Sequence, residues 1–481
     1  MKRIFIAVLI GIELVSCGSV DDTSNPVTAD TTDSAAVAES TTEQVTSDLP
    51  DTDLGGYELR IIKENPDNIA WSLNTFYVEE ENGELLNDTI YQRNLAAMQK
   101  YNFTMSETNN DVDPLNTVNQ SIMAGDDIYD IALFRLSNAQ YTMTGNYMNL
   151  YELPYVDTTK PYWDQNLTRD LTIQDNLYML NGDILVTDND SMMMTMYNRP
   201  LAEDFGIENL YDAVRDGRWT YDLMYDCMKQ VASDLNNDGV YDTDDRYGLL
   251  YVDNSAAEPY FASANIRLYT LKDGLPVYSA NDERAYTLFD TMNRMLSDKS
   301  LSIDWGENSI EPTKIADMIQ NKQVLFQNMV LSFVRRNYRD IENDFGLLPL
   351  PKLDATQEEY FTMINLSTPY IFVPVTVSSP DKVGFILEAL ASLSGDITST
   401  YYEVCMSSKY TRDEESYEMI ELASENIIYD TGFIFNWGNL GTMIRTNIKS
   451  SSGNYASLLA SLESASQTEM AKFIETLSEQ K

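Results

Sequence analysis

The segments YELRIIK (residues 57–63), YNFTM (residues 101–105) and IYDIALF (residues 128–134) decide the fold of this chain. The first alternates apolar and polar side chains, as a half-buried strand does. The third is a near-continuous apolar run, which is typical of a parallel strand buried on both faces. We therefore predict three strands in this part of the sequence.

Two helices are predicted between these strands. Asp113 is a suitable N-cap before a proline at the first helical position, and Gly125 is a suitable end for the second helix. The apolar residues at helical spacing are Leu86, Ile90, Leu95 and Met98 in the first helix and Leu115, Val118 and Ile122 in the second. The order strand, helix, strand, helix, strand predicts a doubly wound α/β sheet.

Polar side chains follow the third strand directly. In doubly wound sheets, ligands bind beyond the carboxyl ends of the strands. This rule places Arg135, Ser137 and Asn138 at a candidate binding site. The alternative is that Arg135 pairs with a surface carboxylate and binds nothing.

The rest of the chain continues the mixture of strands and helices. Its length exceeds the size at which a single core stops growing, so at least two domains are expected. Helices are predicted after Thr220 and after Ser379-Pro380, the latter ending at Gly395. The further predicted strands are residues 184–186, 192–198, 345–351 and 370–377.

The first residues read as a secretory signal. Lys2 and Arg3 precede a short apolar run, and Leu14-Val15-Ser16-Cys17-Gly18 resembles the lipobox of bacterial lipoproteins. In that family the cysteine carries a lipid and becomes the first residue, so Cys17 is the predicted lipidation site. The alternative is an uncleaved anchor with an incidental cysteine.

An acidic segment follows at residues 18–54. It has nine acidic residues, no basic residue and no aromatic residue. Such a composition buries too little apolar surface to offset the entropy of ordering the chain, so we expect a disordered tether.

Charge and histidine content exclude several functions. The chain has 76 acidic and 32 basic residues, a net charge of −44, which argues against nucleic acid or anionic lipid as a partner. It has no histidine. Ser-His-Asp and Cys-His catalysis are therefore excluded, as are nearly all zinc sites.

Two further cysteines carry little information. Cys227 falls on the apolar face of a predicted helix, so we expect a buried thiol, and Cys405 lies between apolar residues. A Cys227–Cys405 disulfide remains an open alternative, because two cysteines define no framework.

Residues 234–245 resemble a calcium-binding loop of the EF-hand or dockerin type. Such loops place oxygen ligands at positions 1, 3, 5, 7, 9 and 12 and a glycine at position 6, here Gly239. The alternative is an acidic turn that binds no metal, and calcium, if bound, is expected to be structural. The predicted ligands are Asp234, Asn236, Asp238, the Val240 carbonyl, Asp242 and Asp245.

Taken together, these features resemble the extracellular solute-binding lipoproteins of bacterial ABC importers, family 1, of the sugar-binding type. The resemblance covers about residues 56–481. The segments that carry it are NDTIYQRNLAAMQKYN (87–102), MYNRPL (196–201), GRWT (217–220), NKQVLFQN (321–328), DFGLLPLPK (344–352) and the helix from Pro380.

The resemblance implies a two-lobed periplasmic-binding-protein-like α/β fold with a hinge. Its implied function is capture of a sugar between the lobes and delivery to ABC permease subunits, by a monomer anchored on the outer face of the membrane, without catalysis. The predicted division is a signal peptide at 1–16, a lipid-anchored disordered linker at 17–55, lobe 1 at 56–192 and 342–395, and lobe 2 at 193–341 and 396–481.

A few residues are predicted to bind the solute. Arg135 and Asn138 follow a first-lobe strand, and Asn436 and Trp437 lie in the glycine-flanked segment FIFNWGNLG (433–441). Trp163 is a further candidate. For both tryptophans, packing in the core is the alternative.

Two other classes of protein remain as alternatives. A secreted carbohydrate-active hydrolase needs only a pair of carboxylates and no histidine, so composition does not exclude it. An adhesive lipoprotein would explain the tether but not the alternating α/β body.

Overall fold

Two separate sheets organise the part of the chain that the computed structural model describes, namely residues 47–68, 73, 76–252, 257–402 and 413–479. These residues belong to a single unit that begins at Val45. The predicted signal peptide, Cys17 and Cys405 lie outside the described residues. No helix within these ranges is both long and apolar enough to cross a bilayer.

The strands contribute to two sheets and one hairpin. In chain order they are β1 (Tyr57–Glu64), β2 (Phe103–Asn110), β3 (Ile131–Arg135), β4 (Met193–Asn198), β5 (Tyr247–Tyr251), β6 (Tyr269–Lys272), β7 (Leu275–Tyr278), β8 (Ser302–Asp304), β9 (Val324–Val330), β10 (Phe345–Leu348) and β11 (Pro369–Phe372).

Helices connect and cover the sheets. They are α1 (Leu85–Tyr101), α2 (Leu115–Ala124), α3 (Gln165–Leu171), α4 (Thr187–Asp190), α5 (Arg199–Asp204), α6 (Leu210–Arg215), α7 (Tyr221–Val231), α8 (Glu258–Ser263), α9 (Glu283–Leu296), α10 (Pro312–Gln320), α11 (Leu331–Asn337), α12 (Pro380–Ser392), α13 (Gly395–Tyr402), α14 (Glu414–Ser424), α15 (Thr431–Phe435), α16 (Leu440–Ile448) and α17 (Tyr455–Glu479). Short 3-10 helices lie at Leu136–Thr144, Leu150–Glu152 and Trp437–Asn439.

The first sheet has the strand order β11-β3-β1-β2. Strands β1, β2 and β3 are parallel, with β1 and β2 in register from Tyr57 opposite Phe103 to Glu64 opposite Asn110. The apolar residues of β3 are buried, as expected for a parallel strand covered on both faces. Strand β11 returns antiparallel beside β3. The predicted parallel α/β opening is confirmed.

The second sheet has the order β10-β4-β9-β5-β8, with β5 parallel to β8 and β9, and β4 antiparallel to β9 and β10. The sequence division put residues 342–395 in the first lobe. Strand β10 instead pairs with β4, from Phe345 opposite Asn198 to Leu348 opposite Thr195, so it belongs to the second sheet. The remaining lobe boundaries stay a prediction.

The structure confirms most of the predicted helix boundaries. Asp113 accepts a hydrogen bond from the Leu115 amide, and Thr220 accepts one from the Leu223 amide. Gly125 ends α2 in the left-handed conformation. Gly395, however, begins α13, since α12 already ends at Ser392.

The predicted strand at residues 184–186 is wrong. These residues form a turn that leads into α4, and their side chains are nevertheless fully buried. A short apolar run predicts burial, but it does not distinguish a strand from a buried turn.

The last residues of the predicted linker, 47–55, pack against the folded part of the chain. The Leu54 amide donates to the Tyr101 carbonyl at 2.8 Å, and the Leu54 side chain is buried. The Asp48 carboxylate lies 2.7 Å from Lys160 Nζ. The prediction of a disordered linker up to residue 55 is therefore wrong for residues 47–55.

Cys227 is a free thiol on the buried face of α7, as predicted. Burial raises its pKa to about 12, which keeps the thiol protonated and unreactive.

Three chain segments run side by side between the two sheets: residues 191–193, 362–365 and 426–428. The first enters β4, the second leads from β10 to β11, and the third follows α14. Backbone hydrogen bonds of 2.9–3.0 Å join them: Met193 N to Met363 O, Asn365 N to Ser191 O, Thr362 N to Asn426 O and Ile428 N to Thr362 O. The first two of these segments connect elements of one sheet with elements of the other, and the third is hydrogen-bonded to the second.

Candidate functional site

The first-lobe wall of the site lies at the carboxyl end of β3. There the 3-10 helix Leu136–Thr144 begins, and the Ser137 amide donates to the Leu366 carbonyl at 2.7 Å. This bond holds the segment before β11 against the residues that follow β3. Ser137 and residues 365–367 therefore face the second lobe together.

The second-lobe wall is built from α8, α15 and α16. Helix α8 follows β5 and begins with Glu258 and Pro259, a proline position that favours helix initiation. Helix α15 is capped by Asp430, whose carboxylate accepts from the Gly432 amide, and it ends at Asn436 with φ 46°. The left-handed turn at Asn436 directs the chain back into α16.

A cavity of about 290 Å³ lies between these walls. It is close to the lower limit of roughly 300 Å³ for typical ligand pockets. A smaller cavity adjoins it and shares the lining residues Glu258, Met363, Leu366, Phe433 and Ile434. The main cavity is lined by Ser137, Gln140, Met193, Glu258, Pro259, Met363, Asn365, Leu366, Ser367, Phe433, Ile434, Asn436, Gly441, Thr442 and Arg445.

The lining combines apolar and polar side chains. Phe433 and the methionine and leucine side chains offer an apolar surface, whereas serine, asparagine, glutamine and threonine side chains offer hydrogen-bonding groups. Asn436 accepts from the Thr442 amide at 3.1 Å and donates to Thr442 Oγ1 at 2.9 Å. This bracing fixes the Asn436 side chain at the cavity wall.

The charged groups that line this cavity form an ion pair. Arg445 donates to Glu258 through Nη2 and, at 3.3 Å, through Nε. The arginine lies on α16 and the glutamate on α8, so the pair also ties these two helices together. One wall of the cavity therefore contains a charged hydrogen-bond donor, the Arg445 guanidinium, and a charged hydrogen-bond acceptor, the Glu258 carboxylate.

Of the residues that the sequence placed at a binding site, Asn436 and Ser137 line this cavity. Arg135 donates to both oxygens of the Glu64 carboxylate, at 2.6 and 2.9 Å, and Asn138 donates to Asp113 at 2.6 Å. Their polar groups are therefore engaged within the first lobe. The adjacent Ser137 is the residue of this stretch that faces the cavity.

Both candidate tryptophans are packed in the protein interior. Trp163 is fully buried and donates through Nε1 to Glu388 at 3.0 Å. Trp437 is 4% exposed and stacks on Phe435 at a centroid distance of 5.3 Å. Neither side chain lines the cavity, in agreement with the packing alternative for both residues.

Sequence reasoning did not find Glu258, Phe433 or Arg445 as site residues. The rule that placed Ser137 after β3 applies equally to β5, since Glu258 begins the helix that follows this parallel strand. The position of Glu258 after a parallel strand was therefore a signal that the sequence offered. Phe433 and Arg445 lie on helices with no comparable local signal.

The calcium-like loop has the turn geometry expected of its sequence. Gly239 has φ 78° and Asn237 has φ 59°, and the Asp234 carboxylate accepts from both amides. Asp245 is buried and uses its oxygens on the amides of Leu235 and Asp242. Within the described ranges, no group of three or more His, Cys, Asp or Glu side chains is arranged to hold a metal ion. The donor atoms suit calcium chemically, and calcium binding stays a prediction.

Comparison with solved structures assigns a class to this fold. Sugar-binding proteins of ABC transporters share it over most of their length, so the predicted two-lobed fold with a hinge is confirmed.

Individual structures illustrate the match. The galacto-N-biose/lacto-N-biose I-binding protein of an ABC transporter from Bifidobacterium longum, solved with lacto-N-biose, aligns with a TM-score of 0.60 at 12% identity, covering 88% of this chain and 98% of that one. An ABC substrate-binding protein from Listeria monocytogenes, solved with cycloalternan, aligns with a TM-score of 0.51 at 11% identity over 88% and 99%. A sugar transporter protein from Rhizobium etli in an open conformation aligns with a TM-score of 0.53 at 12% identity over 87% and 99%.

At these identities the likeness establishes the fold alone. No protein-family model and no curated protein matches the sequence.

Proposed function

We propose that this protein is the extracellular solute-binding component of an ABC importer and that it captures a sugar in the cavity between its lobes. The observation that carries the proposal is the position of the cavity. Its walls come from both lobes, next to hydrogen-bonded segments that cross between them. A ligand that contacts both walls stabilises the closed arrangement by its higher affinity for that state.

The lining chemistry supports a carbohydrate ligand. A sugar ring has apolar faces and a rim of hydroxyl groups, and the cavity offers Phe433 together with serine, asparagine and glutamine side chains. Two of the proteins with the same fold were solved with lacto-N-biose and with cycloalternan, which supports the same ligand class.

Binding without turnover is the second part of the proposal. A glycosidase needs two carboxyl groups about 5–9.5 Å apart around the scissile bond. Among the residues that the structure describes, the lining of the main cavity has one carboxylate, that of Glu258, and Arg445 pairs with it. This composition favours a binding protein over the hydrolase alternative.

The test is a thermal-shift screen against mono- and oligosaccharides, with product analysis for every sugar that stabilises the protein. We expect at least one sugar to raise the melting temperature and to be recovered intact. Cleavage of a glycosidic bond would establish the hydrolase instead, and a flat response to every sugar would remove the proposal.

We further propose that the protein acts as a monomer on the outer face of the membrane, held by a lipid on Cys17, and delivers its solute to permease subunits. The lipobox-like sequence and the acidic segment after it support this location. Cys17→Ala should release the protein from the membrane fraction and leave sugar-induced stabilisation intact. Retention of the variant in the membrane fraction would exclude the lipid anchor.

Calcium is proposed as a structural ion of the loop at residues 234–245. At a concentration about a hundredfold above its Kd, a ligand that binds only the folded state stabilises it by about 2.7 kcal/mol. Calcium should therefore raise the melting temperature, and the double variant Asp234→Ala/Asp238→Ala should abolish the rise. Asp226→Ala, an exposed carboxylate on α7, is the matched control. Equal melting in calcium and in chelator would exclude the ion.

A further inference from the structure

Helix α3 and the turn that follows it are attached to the first sheet. The Asp164 amide at the start of α3 donates to the Asn181 carbonyl at 2.9 Å. The Leu180 amide donates in turn to the Ile371 carbonyl of β11 at 3.0 Å. Because β11 is an edge strand of the first sheet, residues 164–181 extend the first lobe beyond that edge.

The residues that face this extension belong to the second lobe. Arg267 follows α8, and the adjacent Ile266 amide donates to the Phe261 carbonyl of that helix at 2.9 Å. The hairpin of β6 and β7 comes next in the chain and leads into α9, which packs against β8 of the second sheet. Arg267 and the hairpin are therefore attached to the second sheet.

An ion pair joins the two lobes at this point. Arg267 Nη2 lies 3.0 Å from Asp170 Oδ2, and the two side chains are 19% and 7% exposed. The same guanidinium donates through Nη1 to the Tyr429 carbonyl at 3.3 Å, and the Tyr429 amide donates to Asp170 Oδ2 at 3.1 Å. Movement of the second lobe away from α3 would break the ion pair and these hydrogen bonds together.

A backbone hydrogen bond joins the same two regions. The Gln174 amide donates to the Gly274 carbonyl at the tip of the β6–β7 hairpin, at 2.9 Å. Ser478 Oγ, near the end of α17, donates to Gln174 Oε1 at 3.1 Å. Since α17 packs against α9 and α16, Gln174 contacts two elements of the second lobe.

The turn that presents the Gln174 amide is strained. Gln174 and Asp175 have φ values of 50° and 60°, between the paired residues Ile173 and Asn176. Two-residue turns with positive φ at both positions favour asparagine, aspartate and glycine, and glutamine is not among them. Strain of this kind persists where the surrounding structure determines the conformation. The contacts of Gln174 with the second lobe supply that constraint.

We propose that these contacts form a clasp that holds the two lobes at a fixed separation. The clasp consists of the Asp170–Arg267 ion pair and the hydrogen bond between Gln174 and Gly274. It is a second junction between the lobes, in addition to the hydrogen-bonded segments described above. Without the clasp, the lobes would sample a wider range of separations.

The clasp also positions the second-lobe wall of the cavity. Tyr429, which contacts both Arg267 and Asp170, directly precedes Asp430, the N-cap of α15. Helix α15 carries the lining residue Phe433. When Tyr429 is held against α3, the start of α15 is held at a set distance from the first lobe. A ligand that contacts both walls then has less of the protein to order.

The first measurement is hydrogen–deuterium exchange of the full-length wild-type protein, resolved to single amides by mass spectrometry. The Gln174 amide reports on the clasp, because its acceptor lies in the other lobe. We expect its exchange to be slower than that of an unstructured chain by about tenfold or more. Exchange of Gln174 at the unstructured rate would overturn the clasp without any variant.

The second measurement removes the ion pair. Arg267→Met replaces the guanidinium with an apolar side chain, and Asp170 keeps Arg169, whose Nε lies 2.8 Å from Asp170 Oδ1. We expect the Gln174 amide to exchange about tenfold faster in this variant. The Leu180 amide, whose acceptor lies in β11 of its own lobe, should keep its wild-type rate. Small-angle X-ray scattering should show a larger radius of gyration, because the lobes separate more freely.

A matched control lies within the second lobe. Arg199 at the start of α5 pairs with Asp413 at the start of α14, with Nη1 2.5 Å from Oδ2. This pair also joins two helices, but it does not connect the lobes. Arg199→Met should therefore leave the Gln174 exchange rate and the radius of gyration at their wild-type values.

Each outcome supports or overturns the clasp. Unchanged Gln174 exchange in folded Arg267→Met overturns it, and so does an equal increase at Leu180, which would show general loosening of the first lobe. If circular dichroism shows that Arg267→Met does not fold, Ser478→Ala at the exposed end of α17 replaces it, with a smaller increase expected at Gln174. None of these measurements uses a sugar, so the clasp can fail while the proposed function stands, and the reverse.

Discussion

Residues 430–445 lie between two different regions of the molecule, the cavity and an aromatic cluster in the protein interior. One side faces the cavity with Asn436, Thr442 and Arg445, and the other packs into an aromatic cluster. In that cluster the Trp437 ring stacks on Phe435. It also contacts two more rings edge-on, Tyr269 at a centroid distance of 4.8 Å and Phe473 at 4.9 Å.

The difference shows how one short segment contributes both to the packed interior and to the lining of the cavity. Asn436 and Trp437 are neighbours in sequence, yet one side chain lines the cavity and the other is buried behind it. The left-handed conformations of Asn436, Gly438 and Asn439 turn the backbone between the two directions. Changes on the cavity side should therefore alter binding, and changes on the cluster side should alter folding.

The largest effect is expected from Trp437→Ala. Removal of a large buried aromatic side chain costs about 3–5 kcal/mol through lost contacts and a residual cavity. Urea unfolding should show this loss, while the folded fraction should bind its sugar nearly as the wild type does. Lost binding with unchanged stability would instead show that Trp437 is a binding residue, and the two sides of the segment would not differ as described.

An intermediate effect is expected from Asp430, which lies between the two regions. Burial raises the pKa of its carboxyl from 3.8 to about 6, against the opposing hydrogen bonds from the Leu268 and Gly432 amides and the charge of Arg267. A raised carboxyl pKa means that the folded state binds the proton more tightly than the unfolded state does. Stability from this group is therefore gained as the pH falls from about 6 towards 3.8 and is lost above that window, by roughly 3 kcal/mol in all.

The measurement is the free energy of unfolding of the wild type and Asp430→Asn at a series of pH values between 7 and 4. We expect the wild type to gain stability relative to the variant as the pH falls. A constant difference across the range would show that Asp430 titrates normally in the folded protein.

The smallest effect on stability is expected from Asn436→Gly. Glycine adopts positive φ freely, so the turn is kept, and we expect a change below about 1 kcal/mol in the free energy of unfolding. The lost side chain should weaken sugar binding by about tenfold, the contribution of one or two hydrogen bonds. A large loss of stability without a loss of affinity would reverse the roles assigned to Asn436 and Trp437.

Local patterns predicted the first sheet well, because its strands and helices are specified by short-range signals. Alternation, a capping aspartate at Asp113 and a terminating glycine at Gly125 all act within a few residues. Strand pairing across the chain is different. The apolar segment that forms β10 could pair with either sheet, and its partner β4 lies about 150 residues earlier, so the predicted division separated β10 from the sheet in which it pairs.

The candidate site was predicted only in part for the same reason. Ser137 and Asn436 were found because each lies at a recognisable local position, a strand end and a glycine-flanked turn. The Glu258–Arg445 pair joins residues 187 positions apart, and no local signal couples them. Which side of the turn a tryptophan faces depends on backbone angles that the sequence around Trp437 does not specify.

The three hydrogen-bonded segments next to the cavity also bear on the entropy of ligand capture. Lobes joined by one flexible strand would rotate about several axes, and a ligand that closed them would have to remove that freedom. Here hydrogen bonds between adjacent backbones tie residues 191–193, 362–365 and 426–428 together, so one segment cannot twist without the others. Much of the orientational freedom of the lobes is thus already lost when the chain folds. If the protein binds a solute as proposed, a solute that closes the cavity spends less of its interaction energy on ordering the protein, and more of that energy appears as affinity.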